Sequence, residues 1–92
     1  MSKRRKKPKT QTFSYAAPNA TSVLLVGEFT EWQQKAIAME KGADGVWTAT
    51  TKLPHGMHRY LFIVDGEWCE DPQCTTRMPN PFGGNDMVRQ VA

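Results

Sequence analysis

The apolar positions of this chain fall in short runs separated by turn residues, and few of them repeat at helical spacing. "QTFSYAA" (11–17) reads as a strand ended by the turn "PNAT", and "SVLLVGEF" (22–29) is a continuous apolar run of the buried-strand kind. "GVWTATTKL" (45–53) follows the turn "GADG" and stops at "PHG". "MHRYLFIVD" (57–65) is the strongest strand, and "EWCED" (67–71) pairs back on it through Asp65-Gly66. A loop rich in Pro, Asn and Gly, "PQCTTRMPNPFGGND" (72–86), leads to a last strand, "MVRQVA". Only "EWQQKAIAMEKG" (31–42) has some helical propensity, and its apolar residues hold no long 3.6-residue stripe. Six or seven short strands with turns between them predict an all-β, immunoglobulin-like antiparallel β-sandwich.

Alternation then sorts side chains by face. An Asp-Gly pair between two strands favours a type I′ turn, so Val64 and Glu67 flank it and Trp68 is the second residue of the returning strand. Before the turn, His58, Tyr60, Phe62 and Val64 share one face, and Arg59, Leu61 and Ile63 share the other. The first set is the better core face. Leu61 and Ile63 are therefore expected outside, as part of an exposed apolar patch with Trp68, unless another element covers them. Trp47 alternates with Ala49 and Thr51 and is expected in the core.

Composition narrows the picture. Ninety-two residues with 39% apolar content suit one small domain. No apolar run approaches the roughly 20 residues of a membrane span. "QTFSYAAPNATS" after the basic start is too polar for the core of a signal peptide, so a cytoplasmic protein with no membrane partner is expected. Six of the twelve basic residues lie between Lys3 and Lys9, while the remainder of the chain is net acidic. Residues 1–10 are read as a disordered basic arm, and 11–92 as the sandwich. Such an arm can meet a polyanion non-specifically, and with no aromatic residue to stack on a base that contact rests on charge alone. Cys69 and Cys74 lack the spacing and the histidine of a zinc site, and free thiols are expected. His55 and His58 are read as a turn residue and a strand residue, so neither a metal nor a cofactor is implied. Glycosidases hold two carboxylates roughly 5–10 Å apart across a cleft. Asp65 belongs to a turn, Asp71 before Pro72 suggests a loop-fixing role, and so small a sandwich builds no large cleft around Glu67 and Glu70. Catalysis is not expected.

Several linked motifs carry a resemblance. "VGEFTEW" fits Gly-x-Phe-x-x-Trp at a strand end. "GVWTATTKLPHGMHRYLFIVDGEWCEDP" fits Gly-x-Trp, Leu-Pro-x-Gly and Tyr-x-Phe-x-Val-Asp-Gly-x-Trp, followed by Asp-Pro. "NPFGGND" stands where a Gly-rich loop ends in Asn before the last strand. From about Thr12 to Val91 the chain resembles the family 48 carbohydrate-binding modules, which include the glycogen-binding domain of the AMP-activated protein kinase beta subunit and N-terminal modules of branching and debranching enzymes. The resemblance implies non-catalytic binding of an α-1,4-linked glucan such as glycogen or starch. It implies that Trp32 and Trp68 stack on glucose rings and that Asn85 bonds sugar hydroxyls. The family's loop leucine has no match in kind, and Phe82 is the nearest apolar residue. The family's sugar-binding lysine falls on Leu61, which donates no hydrogen bond and pushes affinity towards the weak end. The alternative reading is a protein-interaction module that docks its apolar face on an enzyme or kinase-type partner, for which Leu61 suits a dry contact.

Overall fold

The computed structural model describes residues 8–81 and 83–92. Most of the expected basic arm (1–7) and Phe82 lie outside the described residues. Among the described residues the strands are β1 (Lys9–Ala16), β2 (Val23–Gly27), β3 (Ile37–Ala38), β4 (Glu40–Lys41), β5 (Val46–Leu53), β6 (Gly56–Val64), β7 (Glu67–Cys69), β8 (Arg77–Pro79) and β9 (Asn85–Val91). They form two antiparallel sheets packed as a sandwich. One runs β1-β5-β4, and the other runs β3-β2-β6-β9-β8 with β7 also paired to β6.

The core face expected for β6 is the observed one. Tyr60 and Phe62 point inward opposite Gly27 and Leu25 of β2, and all are buried. Phe13 and Tyr15 face them from β1. The Phe13 ring meets Tyr60 edge-on at 4.9 Å, and Tyr15 meets Phe62 at 5.0 Å, so aromatic pairs join the two sheets. The Arg89 guanidinium lies 4.1 Å over the Phe13 ring. Trp47 is buried, with its indole N–H donating to the Ala17 carbonyl at 2.9 Å, as its place in the strand predicts. Tyr60 Oη donates to Asp71 Oδ2 at 2.7 Å, and Asp71 Oδ1 accepts from the Gln73 amide. This fastens the chain leaving β7 to the central strand. Burial and the Asp71 carboxylate push the Tyr60 phenol well above its ordinary pKa, so the phenol remains the donor.

In residues 31–42, which hold no long helical stripe, a 3-10 turn, Trp32–Lys35, gives way to the two-residue strands β3 and β4. Three local expectations need correction. The loop 72–86 contains β8, a short edge strand ending at Pro79, where a missing N–H costs no ladder bond. β1 begins at Lys9, which pairs with Leu53, so the sheet reaches two residues into the expected arm. Leu61 and Ile63 are not exposed, at 8% and 4%. They do lie on the outer face, in cross-strand rows with Val26 and Leu24, but the Trp32, Ala36 and Ile37 side chains pack against the cluster to which they belong. Non-local cover turns an expected patch into a second apolar layer.

The β6–β7 hairpin is pinned at its tip. Asp65 and Gly66 both have positive φ (48° and 88°), as a type I′ turn requires. The Asp65 Oδ1 atom accepts from Thr21 Oγ1 at 2.8 Å, the Thr21 amide at 2.9 Å and the Ser22 amide at 2.9 Å. These bonds, led by the Thr21 hydroxyl, hold the Asp65 carboxyl below its usual pKa. A depressed carboxylate pKa stabilises the fold above the unfolded value near 4, and that contribution is lost as pH falls through the folded pKa. Asn tolerates the same left-handed turn, so Asp65→Asn isolates the charge. The melting temperature of wild type should exceed that of Asp65→Asn at pH 7, and the gap should close as the pH is lowered below 4.

Candidate functional site

A groove of about 800 Å3 opens on the outer face of the larger sheet, and Trp32, Trp68, Leu61, Arg59, Asn85 and Asp86 are among its lining residues. Topology makes it. β9 pairs with β6 from Gly56 to Tyr60, and β7 pairs with the same edge from Phe62 to Val64. The two strands lie end to end, and Leu61 falls at the gap between them. The floor is therefore Leu61, with β7 on one side and the β8–β9 turn on the other.

Each tryptophan is placed by a different device. Trp68 sits directly across the hairpin from Ile63, so its ring stands on the outer face over the second apolar layer, 48% exposed. Trp32 follows a turn that bulky residues rarely adopt, with Glu31 at φ 53° and Trp32 itself at φ 56°. Thr30 holds that turn. Its buried hydroxyl accepts from the Gly27 amide at 2.9 Å and donates to the Trp32 carbonyl at 2.8 Å, with the Gly27 carbonyl also at 3.0 Å. Gly27 is needed because a Cβ there would strike the Arg59 carbonyl oxygen and the Phe29 ring. The two indoles end with centroids 6.3 Å apart and planes at 47°, forming a shallow V.

The polar wall comes from the β8–β9 hairpin. Gly83 takes the positive φ of that turn (89°), not Asn85, which is already the first residue of β9 opposite Pro79. Asn80 closes the loop: its amide donates to the Gly84 carbonyl at 2.9 Å, and its Oδ1 accepts from the Gly84 amide at 3.1 Å. Asn85 lines the groove and is partly buried. Asp86, nearly buried, receives Asn80 Nδ2 on Oδ1 at 3.0 Å and Arg59 Nη1 on Oδ2 at 3.4 Å. Glu70 also lines the groove and bonds Arg77 Nε at 3.1 Å.

The fold thus brings Trp32, Trp68, Leu61 and Asn85 together, while Phe82 lies outside the described residues. Arg59 and Asp86 also belong to the groove, and motif reading alone misses them. The period of two along β6, which puts Arg59 on the same face as Leu61, is the signal that finds the arginine. Cys69, a half-buried free thiol, lines the groove, and Cys74 lies apart from it. No group of three or more His, Cys, Asp or Glu among the described residues is arranged to hold a metal ion.

A family model described as the glycogen recognition site of AMP-activated protein kinase matches residues 10–87. Over 53 residues the chain is 45% identical to the 1,4-alpha-glucan branching enzyme GlgB of Lactobacillus acidophilus, covering 58% of this chain and 8% of the enzyme. It is 41% identical over 63 residues to the chloroplastic protein PTST homolog 2 of Arabidopsis thaliana, covering 67% of this chain and 12% of that one. It is 40% identical over 50 residues to the beta-2 subunit of human 5'-AMP-activated protein kinase, covering 54% and 18%. The match therefore spans less than a fifth of each of these relatives. With a family model covering nearly the whole sandwich, the chain belongs to the family of the AMP-activated protein kinase glycogen recognition site, a carbohydrate-binding module of the β-sandwich type.

Proposed function

We propose that the outer-face groove binds an α-1,4-linked glucan of the glycogen or starch kind without acting on it chemically. The observation that carries this reading is the tilted pair of Trp32 and Trp68 over an apolar floor, one ring nearly half exposed. A glucose ring has an apolar C–H face and a rim of hydroxyls. Rigid indoles cover the face at low entropic cost, and a few polar groups fix orientation. The 47° angle between the rings suits a curved chain better than a flat one, which favours α- over β-linked glucan. Asn85 supplies both a donor and an acceptor to hydroxyls. If each ring contributes roughly 1–3 kcal/mol, by analogy with base stacking, and one or two hydrogen bonds add about 1 kcal/mol each, the Kd lies in the micromolar to millimolar range.

The protein-docking alternative draws on an exposed apolar face, with Leu61 as the residue suited to a dry contact; of that face Trp68 is exposed. At 8% exposure Leu61 is a floor beneath the rings and offers little area to a partner protein. The named relatives include a glucan-branching enzyme and a kinase subunit. Action beside a glucan-active enzyme or a kinase, in trans, is accordingly part of the proposal. Tryptophan fluorescence titrated with maltoheptaose and β-cyclodextrin tests the glucan reading, with cellohexaose as the linkage control. A saturable change with the α-linked sugars alone is expected. An equal response to cellohexaose, or none at millimolar sugar, would overturn it.

A further inference from the structure

Arg59 stands two residues before Leu61 on the same face of β6, and both line the groove. Its side chain is 31% exposed, while that of Asp86, its ion-pair partner, is 7% exposed and is bonded on its other oxygen by Asn80. A carboxylate held that way anchors one nitrogen of the guanidinium, Nη1, at 3.4 Å. The Arg59 backbone amide is directed at Glu28 Oε1, which tethers the residue from its other end. Among the described residues the guanidinium has only this one partner, whereas it carries five N–H donors in a rigid plane. The remaining donors border the groove beside a floor that has none.

Resting on the glucan reading above, we propose that Arg59, oriented by Asp86, is a second hydroxyl-reading donor of this groove beside Asn85 and that its ligand is a neutral glucan. A planar fork of donors matches two adjacent hydroxyl oxygens on one sugar ring. It reaches the space over Leu61, which cannot donate. The charge of the arginine is balanced by Asp86 and that of Glu70 by Arg77, so the carboxylate of Glu28 on the same groove leaves its local charge net negative. Hydroxyls are welcomed there, and phosphate or carboxylate groups on the sugar are repelled.

The test compares wild type, Arg59→Met and Arg59→Lys by calorimetric titration with maltoheptaose, with a set of its mono-deoxy analogues and with a 6-phosphorylated form. Arg59→Met is expected to bind about tenfold more weakly, the size of one hydrogen bond to a charged group. Arg59→Lys keeps the charge beside Asp86 and should recover part of the loss. In wild type, removing the hydroxyl read by Arg59 should cost about as much, again about tenfold, and in Arg59→Met that same deletion should cost nothing. A merely structural arginine would weaken every sugar equally and leave the deoxy penalties intact, and that result overturns the proposal. So does binding of Arg59→Met within twofold of wild type, or tighter binding of the phosphorylated sugar. Failure of wild type to bind any of these sugars overturns the glucan reading itself, and this inference with it.

Discussion

Replacing Trp68 with alanine is expected to abolish retention on glycogen while the sandwich stays folded. The ring is the most exposed aromatic surface of the groove, and its place in the returning strand of a pinned hairpin does not depend on it. Losing one stacking ring removes roughly 1–3 kcal/mol, or about five- to 150-fold in affinity. From the weak, near-millimolar end of the range, towards which Leu61 pushes the affinity, that puts binding beyond detection on an affinity gel. Stability should fall by only about 1 kcal/mol, because half of the ring covers Ile63 and its neighbours and the rest already meets water. Retention at the wild-type level, with an unchanged melting temperature, would contradict the role given to this residue.

Thr30→Val is expected to do the converse, damaging site and stability together although Thr30 does not line the groove. Valine is nearly the same shape, but it leaves the buried Gly27 amide and the Trp32 carbonyl without the hydroxyl that joins them. Each unsatisfied group costs about 1–3 kcal/mol. The same hydroxyl restrains two consecutive left-handed residues, each strained by about 1–2 kcal/mol. Freed of it, the turn relaxes and Trp32 leaves its place opposite Trp68. Urea unfolding should show a loss of about 2–4 kcal/mol, and the titration should show glucan affinity falling at least tenfold. Thr30→Ser, which keeps the hydroxyl, should preserve most of both. A Thr30→Val protein that melts and binds like wild type would mean that the turn holds itself.

How much of this was legible beforehand depends on how local the cause is. The Asp65-Gly66 hairpin was readable because two consecutive positive-φ residues demand that chemistry wherever they occur. The inward face of β6 was readable because alternation is a property of one strand. Leu61 and Ile63 were assigned to the right face but not to a buried layer, because the Trp32–Ile37 residues that pack against their cluster are distant along the chain and without a regular pattern. β8 was hidden inside a Pro- and Asn-rich stretch, since a three-residue edge strand owes its existence to β9 rather than to its own composition. Asn85 was singled out by its motif, and its place at the start of β9, opposite Pro79, follows from the turn that Gly83 makes before it. Arg59 was legible only as a member of the Leu61 face. Its partner Asp86 is supplied by a hairpin 27 residues on, and no spacing rule connects the two.

The central claim is that glucan lies against Trp32 and Trp68, and the three tryptophans of the chain give it an internal control. Their indole N–H signals can be followed by proton–nitrogen correlation spectroscopy as maltoheptaose is added. The resonances of Trp32 and Trp68 should move together along one saturable isotherm. That of Trp47, bonded to the Ala17 carbonyl in the core, should stay where it is. Movement of all three alike, or of none while resonances elsewhere on the sandwich shift, would contradict the placement of the site.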